Sequence, residues 1–209
     1  MHANLVKDVR EGINMRLAPL SVSQYHQMID NGILEDGEPI ELIEGALIYK
    51  DRRDESGGIK SHGVRHLRVL NKLMAILAQW TGGRPCHLQV QGPISIGETS
   101  EPEPDCCLVR GTPDDYADEV PQATDVLAVF EVAHSSLRSD RRVKQRLYAS
   151  AGIPIYVIIN LVDNMVEVHQ QPNVTEQHYD QRTEFHRDET ISLPMGDLGL
   201  MEWNVADVQ

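Results

Sequence analysis

The chain has 209 residues, of which 41% are hydrophobic and 24% charged, a globular composition that excludes wholesale disorder. No apolar run approaches the roughly 20 residues of a membrane span, and the N-terminus lacks the apolar core of a signal peptide, so a cytoplasmic location is expected. The formal net charge of −13 argues against a generic nucleic-acid-binding protein.

The charged residues are unevenly distributed along the chain. Residues 98–125 contain nine acids and a single base, Arg110. Residues 131–156 contain only two acids but five bases, which are Arg138, Arg141, Arg142, Lys144 and Arg146. We expect Arg138, Arg141 and Arg142 to contact phosphate groups of a nucleic acid. A solvated helix face is the alternative.

The first predicted elements are a short helix and a strand. Ser21 is a suitable N-cap for a helix through Met28, which Asn31-Gly32 ends. Residues 39–49 predict one strand that is kinked at Gly45.

A loop, a longer helix and two strands are expected next. Residues 51–60 are charged and glycine-rich, which predicts the loop, and an amphipathic helix follows from Ser61 to near Trp80. Its apolar residues recur every three or four positions and define one face, formed by Val64, Leu67, Leu70, Met74 and Leu77. Residues 87–96 and 105–109 predict two strands separated by an acidic loop.

The most apolar strand is predicted at residues 125–133 (DVLAVFEVA), and its two apolar faces indicate a central position in a sheet. A second amphipathic helix at 138–151 and a buried strand at 153–160 follow, which predicts a parallel right-handed crossover. The polar, proline-interrupted residues 170–209 predict short strands and a weakly structured end. The order of elements predicts an α/β fold with a mixed β-sheet flanked by helices.

Glu131 points most strongly to a functional site. It lies in an otherwise apolar strand and shares a face with Leu127, Val129 and Ala133. An unpaired carboxylate in these surroundings is strongly unfavourable, so Glu131 needs a cation, a metal ion or a proton. A structural salt bridge is the alternative.

Asp105, which opens a predicted strand after Pro104, is the second candidate. If its strand lies beside that of Glu131, the two carboxylates can chelate a hard cation. Mg²⁺ is typically held by one or two carboxylates, water molecules and phosphate oxygens of the substrate, and the carbonyl of Val132 is a further potential ligand. The alternative is an acid that simply belongs to a turn.

Lys144 is the third candidate. It lies four residues from both Asp140 and Tyr148, so the three residues form one stripe of the predicted helix, near the edge that packs on the sheet. An ammonium group there can hold the attacking water and stabilise the charge of a pentacovalent phosphate. An exposed lysine paired with Asp140 is the alternative.

Several short motifs occur in a fixed order along roughly residues 20–170. They are Glu41-Leu-Ile-Glu44-Gly45, His62, Pro104-Asp105, Glu131-Val132, then Asp140, Lys144 and Tyr148, and finally Gly152-Ile153-Pro154. This ordered set resembles the PD-(D/E)xK nuclease superfamily and, more narrowly, the Uma2 (DUF820) family of restriction-endonuclease-like proteins.

The resemblance implies a restriction-endonuclease-like core and hydrolysis of phosphodiester bonds that depends on Mg²⁺ or Mn²⁺. It implies a metal site at Asp105 and Glu131. It also implies that Lys144, on the following helix, replaces the lysine of a strict ExK motif, because position 133 is alanine. The expected partner is nucleic acid, DNA before RNA, and the expected assembly is a homodimer.

The same resemblance predicts three parts of the chain. Residues 1–19 form an N-terminal extension and residues 20–170 the restriction-endonuclease-like domain, while residues 171–209 form short strands that pack on or extend it. Within the main part, accessory roles are predicted for Glu44, His62 and Asp140.

Each accessory residue has an expected role. Glu44 is expected to complete the metal shell, with an exposed strand carboxylate as the alternative. His62 is expected to contact phosphate. His62 and His66 also have the spacing of a helical metal pair, although no third ligand stands at a fixed distance from them.

Two functions follow as the main hypotheses. The first is a Mg²⁺-dependent endonuclease that uses Asp105, Glu131 and Lys144. The alternative is a catalytically weak or inactive nuclease-fold module for binding or interaction. It is favoured by the charge of −13 and by His134-Ser135-Ser136, which stand where family members usually have Ser-Pro after the strand of Glu131. A structural protein whose polar cluster is only a buried salt bridge is the third.

Overall fold

The computed structural model describes residues 18–35, 37–50 and 63–209. The predicted loop at 51–60, His62 and most of the predicted N-terminal extension lie outside the described residues. Besides short 3₁₀ turns, the described residues form four helices and ten strands. No described helix is long and apolar enough to cross a membrane.

The helices and strands alternate along the chain. The helices are α1 (Val22–Asp30), α2 (Val64–Thr81), α3 (Leu137–Ser139, a π-helical turn at Asp140–Lys144, and Gln145–Ser150) and α4 (Val205–Val208). The strands are β1 (Ile40–Ile43), β2 (Ala46–Tyr49), β3 (Cys86–Val90), β4 (Cys106–Arg110), β5 (Val126–Ala133), β6 (Ile155–Asn160), β7 (Met165–Asn173), β8 (His178–Phe185), β9 (Thr190–Pro194) and β10 (Leu200–Asn204).

Six strands form the main sheet, in the order β3-β4-β5-β6-β7-β8. β5 and β6 are parallel, and every other neighbouring pair in this sheet is antiparallel. The predicted mixed α/β sheet is therefore confirmed, with α3 connecting the parallel pair. β5 is buried along its whole length at an inner position, as its apolar sequence predicts.

The two faces of the sheet are covered by two hydrophobic clusters. Phe130 of β5 packs in the cluster that contains α2 and Trp203, whereas Val129 and Ala133 pack in the cluster that contains α3. Alternate residues of a strand point to opposite faces. Glu131 lies two residues from both Val129 and Ala133, so its side chain is on their face of the sheet and points toward α3.

The C-terminal residues are part of the core, and the predicted weakly structured end is wrong. β9 and β10 form an antiparallel hairpin whose inward residues are Ile191, Leu193, Met201 and Trp203. Buried and exposed residues alternate in both strands. This period of two was obscured by Pro194 and by the polar residues between the apolar ones.

The segment that the sequence predicts as one kinked strand is a hairpin. β1 and β2 pair antiparallel around a two-residue turn at Glu44-Gly45, where φ is 48° and 76°. Hairpin turns of this length favour positive φ at both positions. A Cβ on Gly45 would also lie 2.3 Å from the Cβ of Pro19, so glycine is required.

The first two helices show one accurate boundary and one misplaced face. Ser21 caps α1 as predicted, because its hydroxyl accepts from the N–H of Gln24 and the Gln24 side chain accepts from the N–H of Ser21. In α2 the buried residues are Val69, Leu70, Leu73 and Leu77. The predicted core positions Val64 and Leu67 are exposed.

β3 is shorter than the strand predicted at residues 87–96. It ends at Val90 because Gln91 adopts a φ of 49°, which interrupts extended pairing. Ser95 and Ile96 then bridge to Gln122 and Ser100 in separate loops.

Glu167 of β7 is a fully buried carboxylate that anchors α3 to the sheet. It accepts hydrogen bonds from Arg141 at 2.7 Å, from Arg182 at 2.9 Å and from the side-chain amide of Asn160 at 2.9 Å. Burial acts to raise the pKa of Glu167. The nearby His169 ring and the hydrogen bonds from Arg141 and Asn160 outweigh burial and hold this pKa below its ordinary value.

We expect Glu167→Gln to lower the free energy of unfolding by about 1–3 kcal/mol at pH 7. Because the folded-state pKa is lowered, the ionised carboxylate stabilises the fold above its ordinary value of 4.5, and this contribution declines as the pH falls below 4.5. Urea unfolding of both proteins at pH 7, 5 and 3.5 measures the difference. An equal difference at all three pH values would contradict the expectation.

Candidate active site

A cavity of about 620 Å³ lies between the β1–β2 hairpin, the start of α2, the loop before β4, the end of β5 and the first half of α3. Its acidic lining residues are Glu41, Glu103, Asp105, Glu131 and Asp140. Its basic lining residues include Lys50, Arg65, His66 and Lys144. The cavity therefore collects charged side chains from five separate parts of the fold.

The structure brings Asp105, Glu131 and Lys144 together in this cavity. The pairing of Cys106 with Phe130 in β4 and β5 places the neighbouring residues Asp105 and Glu131 side by side. The backbone N–H of Asp105 donates to Glu131 Oε2 at 3.3 Å, and Asp105 Oδ2 accepts from the N–H of Val132 at 2.9 Å. The two carboxylates are thus fixed relative to each other by the backbone.

Lys144 and Tyr148 of α3 both reach Glu131. Lys144 Nζ lies 2.7 Å from Glu131 Oε1, and the Tyr148 hydroxyl donates to the same oxygen at 3.3 Å. The predicted stripe of Asp140, Lys144 and Tyr148 therefore faces the carboxylate cluster. Asp140 and Lys144 begin and end the π-helical turn, a geometry that is frequent at functional sites.

Glu41, and not Glu44, is the acid that the β1–β2 hairpin contributes. Glu41 Oε1 accepts from Lys144 Nζ at 3.2 Å and from the N–H of Glu103 at 2.9 Å. The prediction for Glu44 is wrong: the hairpin turn exposes 54% of its side chain, which pairs with Arg146 at 2.7 Å. The alternation of side chains along β1, combined with recognition of the turn, would have identified Glu41.

His66 is a site residue that the sequence suggested only as a partner of His62. Its Nε2 lies 3.4 Å from Asp105 Oδ2. The structure does not describe His62, so its predicted phosphate contact stays a prediction. The spacing of the two histidines identified the correct helix, and only the packing of α2 against the start of β4 reveals the partner of His66.

The predicted nucleic-acid contacts separate into two groups. Arg138 and Arg142 are exposed and line a second cavity of about 450 Å³, which shares His134 and Ser135 with the first. Arg141 is directed elsewhere, because Glu167 and Asp163 bind its guanidinium at 2.7 and 3.5 Å. Its prediction as a nucleic-acid contact is corrected to an anchor of α3.

The cluster contains more acids than Lys144 can neutralise. Four carboxylates, those of Glu41, Asp105, Glu131 and Asp140, lie around one ammonium, so full ionisation leaves three negative charges without a lysine partner. Burial acts to lower the pKa of Lys144, but Glu131, Glu41 and Asp140 hold it well above its ordinary value. Lys144 is therefore charged at every physiological pH.

The carboxylates respond differently to this shared environment. Burial raises the pKa of Glu131 to about 8 against the opposing effect of Lys144, and burial likewise raises the pKa of Asp140 to about 6. For Asp105, burial is outweighed by hydrogen bonds from His66 and Val132, which lower its pKa. The cluster must therefore take up protons or another cation near neutral pH.

The donor set suits a hard divalent cation. Within residues 18–35, 37–50 and 63–209, no three His, Cys, Asp or Glu side chains form a preformed metal cage, so protein side chains alone do not complete a metal shell in this part of the chain. Asp105 and Glu131 offer a linked carboxylate pair. Asp140 Oδ2 lies buried beside them without a hydrogen-bond partner among the described residues. Mg²⁺ and Mn²⁺ accept such a set, completed by water and phosphate oxygens.

The fold is shared with a nuclease-like protein of known structure. A crystal structure from Anabaena variabilis ATCC 29413, described as "a putative nuclease belonging to DUF820", matches with a TM-score of 0.64 at 13% sequence identity. The match covers 91% of this chain and 97% of that chain. The mixed sheet and its flanking helices therefore have the same α/β fold as that protein.

Residues 22–205 match the model of the Uma2 family, which carries the description "Putative restriction endonuclease". Because this match spans most of the chain, the protein belongs to the Uma2 family, as the ordered motifs predicted. No curated protein sequence matches the chain significantly. Family and fold together indicate a restriction-endonuclease-like nuclease.

We expect Glu131→Gln to stabilise the protein in the presence of a metal chelator. Since the folded-state pKa of Glu131 is raised to about 8 from 4.5, ionisation of this carboxylate destabilises the fold progressively as the pH rises between these values. Glutamine removes that charge, so stability should increase by about 1–3 kcal/mol at pH 8 and change little near pH 5.

Urea unfolding at both pH values measures the effect of Glu131→Gln, with Glu44→Gln as the matched control on an exposed acid. The control should stay within about 0.5 kcal/mol of the wild type. A lower stability of Glu131→Gln at pH 8 would mean that its pairing with Lys144 outweighs the excess of negative charge.

Proposed function

We propose that the protein is an endonuclease that depends on Mg²⁺ or Mn²⁺ and hydrolyses phosphodiester bonds of DNA. The observation that carries the proposal is the buried cluster of four carboxylates around Lys144, whose excess negative charge requires a cation. In a nuclease family, a cation at such a cluster has a direct chemical role, because phosphodiester cleavage places additional negative charge on the phosphate.

The proposed metal ligands are Asp105 and Glu131, with Asp140 as an accessory acid. These residues would hold a divalent ion, which would supply Lewis-acid chemistry, neutralising phosphate charge and lowering the pKa of water. Lys144 is oriented by Glu131 and Glu41 at the wall of the same cavity. Its ammonium group holds the attacking water and stabilises the pentacovalent phosphate.

Exposed cations beside the cavity support a nucleic-acid substrate. Arg138 and Arg142 line the adjoining cavity, so a strand bound at the carboxylates has basic side chains in its path. DNA as the substrate, a homodimeric assembly and a cytoplasmic location are further parts of the proposal that rest on the family resemblance.

The second candidate function is a nuclease-fold binding module without robust catalysis. The net charge of −13 favours it, because an acidic protein gains little affinity from the phosphates of a long duplex. The two functions differ in one measurable respect, which is whether a bound metal ion leads to cleavage.

Mn²⁺ should bind more tightly as the pH rises from 6 to 8.5. The metal ion competes with protons for Asp140 and Glu131, whose pKa values are about 6 and 8. Isothermal titration calorimetry and the thermal shift caused by Mn²⁺ measure the affinity across this range. Asp105→Asn should abolish the response, whereas Glu44→Gln should retain it, and an affinity that does not depend on pH would count against these ligands.

Lys144→Ala should reduce cleavage of plasmid DNA by about 10²–10³-fold while Mn²⁺ binding is retained. This loss is expected because Lys144 is the cation proposed to stabilise charge in the transition state. Arg146→Ala, on the exposed side of the same helix, is the matched control. Wild-type protein that binds Mn²⁺ but cleaves neither DNA nor RNA would refute the endonuclease and favour the binding module.

A further inference from the structure

The second cavity, of about 450 Å³, has a basic lining. Its lining residues in the described part of the chain include no carboxylate and are His134, Ser135, Leu137, Arg138, Arg141 and Arg142. The first cavity, by contrast, has five acids in its lining. The net charge of the whole chain is −13, so the second cavity differs in sign from its surroundings. It is therefore suited to an anion, whereas the first cavity is suited to a cation.

Two of the arginines in this lining have no acidic partner. Arg138 and Arg142 are exposed, and neither forms an ion pair or a hydrogen bond with a residue that the structure describes. Arg146, on the same helix, instead pairs with Glu44 at 2.7 Å. A guanidinium group stays charged at physiological pH and offers several N–H donors in one plane. The donors of Arg138 and Arg142 are therefore available to a ligand.

The helix that carries these two arginines is held in place between them. Arg141 also lines the second cavity, but its charge is compensated by the buried carboxylate of Glu167 at 2.7 Å. This contact fixes α3 to β7, so the backbone positions of Arg138 and Arg142 are set before a ligand binds. The hydroxyl group of Ser135 lies in the same lining. Two guanidinium groups and a hydroxyl suit a phosphate, whose oxygens accept from planar donors.

The two cavities are adjacent. His134 and Ser135 of the β5–α3 connection line both of them. The first half of α3 also contributes to both, with Lys144 in the first cavity and Arg138 and Arg142 in the second. A phosphate bound beside Lys144 therefore has a second phosphate position next to it.

We propose that the second cavity is a subsite for the phosphate group next to the scissile one, and this inference rests on the proposed nuclease function. A nucleic-acid strand carries a phosphate at every nucleotide and fills both cavities at once. A small phosphodiester with a single phosphate leaves one of them empty. The preferred substrate is therefore a strand with consecutive phosphates, and small phosphodiesters are discriminated against.

The subsite has two consequences for binding. At a net charge of −13, phosphates outside the two cavities add little affinity, so the local cations Arg138 and Arg142 supply a large share of it. A strand that is held at two adjacent phosphates also cannot pivot about either of them. The scissile bond thereby stays aligned with Lys144, which is the positional advantage that catalysis needs.

Competition by thymidine dinucleotides tests the inference with Mn²⁺ in the Lys144→Ala background. TpT has one phosphate, whereas pTpT and TpTp have a second phosphate at the 5′ or the 3′ end. Against a fluorescein-labelled single strand, one of the two doubly phosphorylated forms should compete about tenfold better than TpT, because a charge-assisted contact contributes about that factor. The better competitor gives the direction of the strand across the two cavities.

The double variant Arg138→Ala/Arg142→Ala should lose this tenfold advantage and retain its affinity for TpT, which general damage to the fold would not leave unchanged. Arg138→Lys/Arg142→Lys should keep part of the advantage, because lysine retains the charge without the planar donors. Arg146→Ala, which removes an exposed arginine paired with Glu44, is the matched control and should behave like its parent. Thermal unfolding of each variant establishes that it is folded.

Equal competition by all three dinucleotides, no competition by any of them, or an advantage that persists in Arg138→Ala/Arg142→Ala would overturn the inference. Inorganic phosphate that competes as well as the better dinucleotide would indicate a site for free phosphate and would also overturn it. The assay measures binding and is independent of cleavage. An arginine-dependent advantage without cleavage of any nucleic acid refutes the endonuclease and retains the subsite, and cleavage without that advantage does the reverse.

Discussion

The ion pair between Lys144 and Glu131 is the interaction on which the organisation of the cavity depends. It joins α3 to β5, and the second contact of Lys144, with Glu41, adds the β1–β2 hairpin. The ammonium group thereby connects three parts of the chain that are distant in sequence. One ammonium cannot neutralise the four carboxylates around it. The remaining negative charge makes the cavity suitable for a divalent ion.

Two buried glutamates illustrate the difference between a carboxylate that holds the fold together and one available for chemistry. Glu167 receives hydrogen bonds from two guanidinium groups and an amide, and its pKa is lowered. Burial raises the pKa of Glu131, which shares one ammonium with three other acids. Both residues contact α3. The contact of Glu167, whose charge is fully paired, secures the helix, whereas the contact of Glu131, whose charge is only partly paired, lies at the cavity.

The sequence predicted features that arise from local patterns and missed those that arise from distant packing. The apolar strand with Glu131 and the four-residue spacing of Lys144 and Tyr148 were sufficient to predict the centre of the cavity. The role of Glu41 depends on a hairpin turn that the sequence prediction treated as a kink, and the role of His66 depends on the packing of α2 against β4, which no spacing reveals. Arg141 was predicted as a phosphate contact because its partner, Glu167, lies 26 residues away, on strand β7.

The π-helical turn at Asp140–Lys144 changes the direction in which the side chains of α3 point along its length. Such a turn is an α-helix with one additional residue, which rotates the side chains on either side of it by about 100° relative to each other. Arg141 thereby reaches the β7 strand while Lys144 and Tyr148 reach β5. The additional residue thus lets a single helical segment contact two different strands, with Arg141 on β7 and Lys144 and Tyr148 on β5.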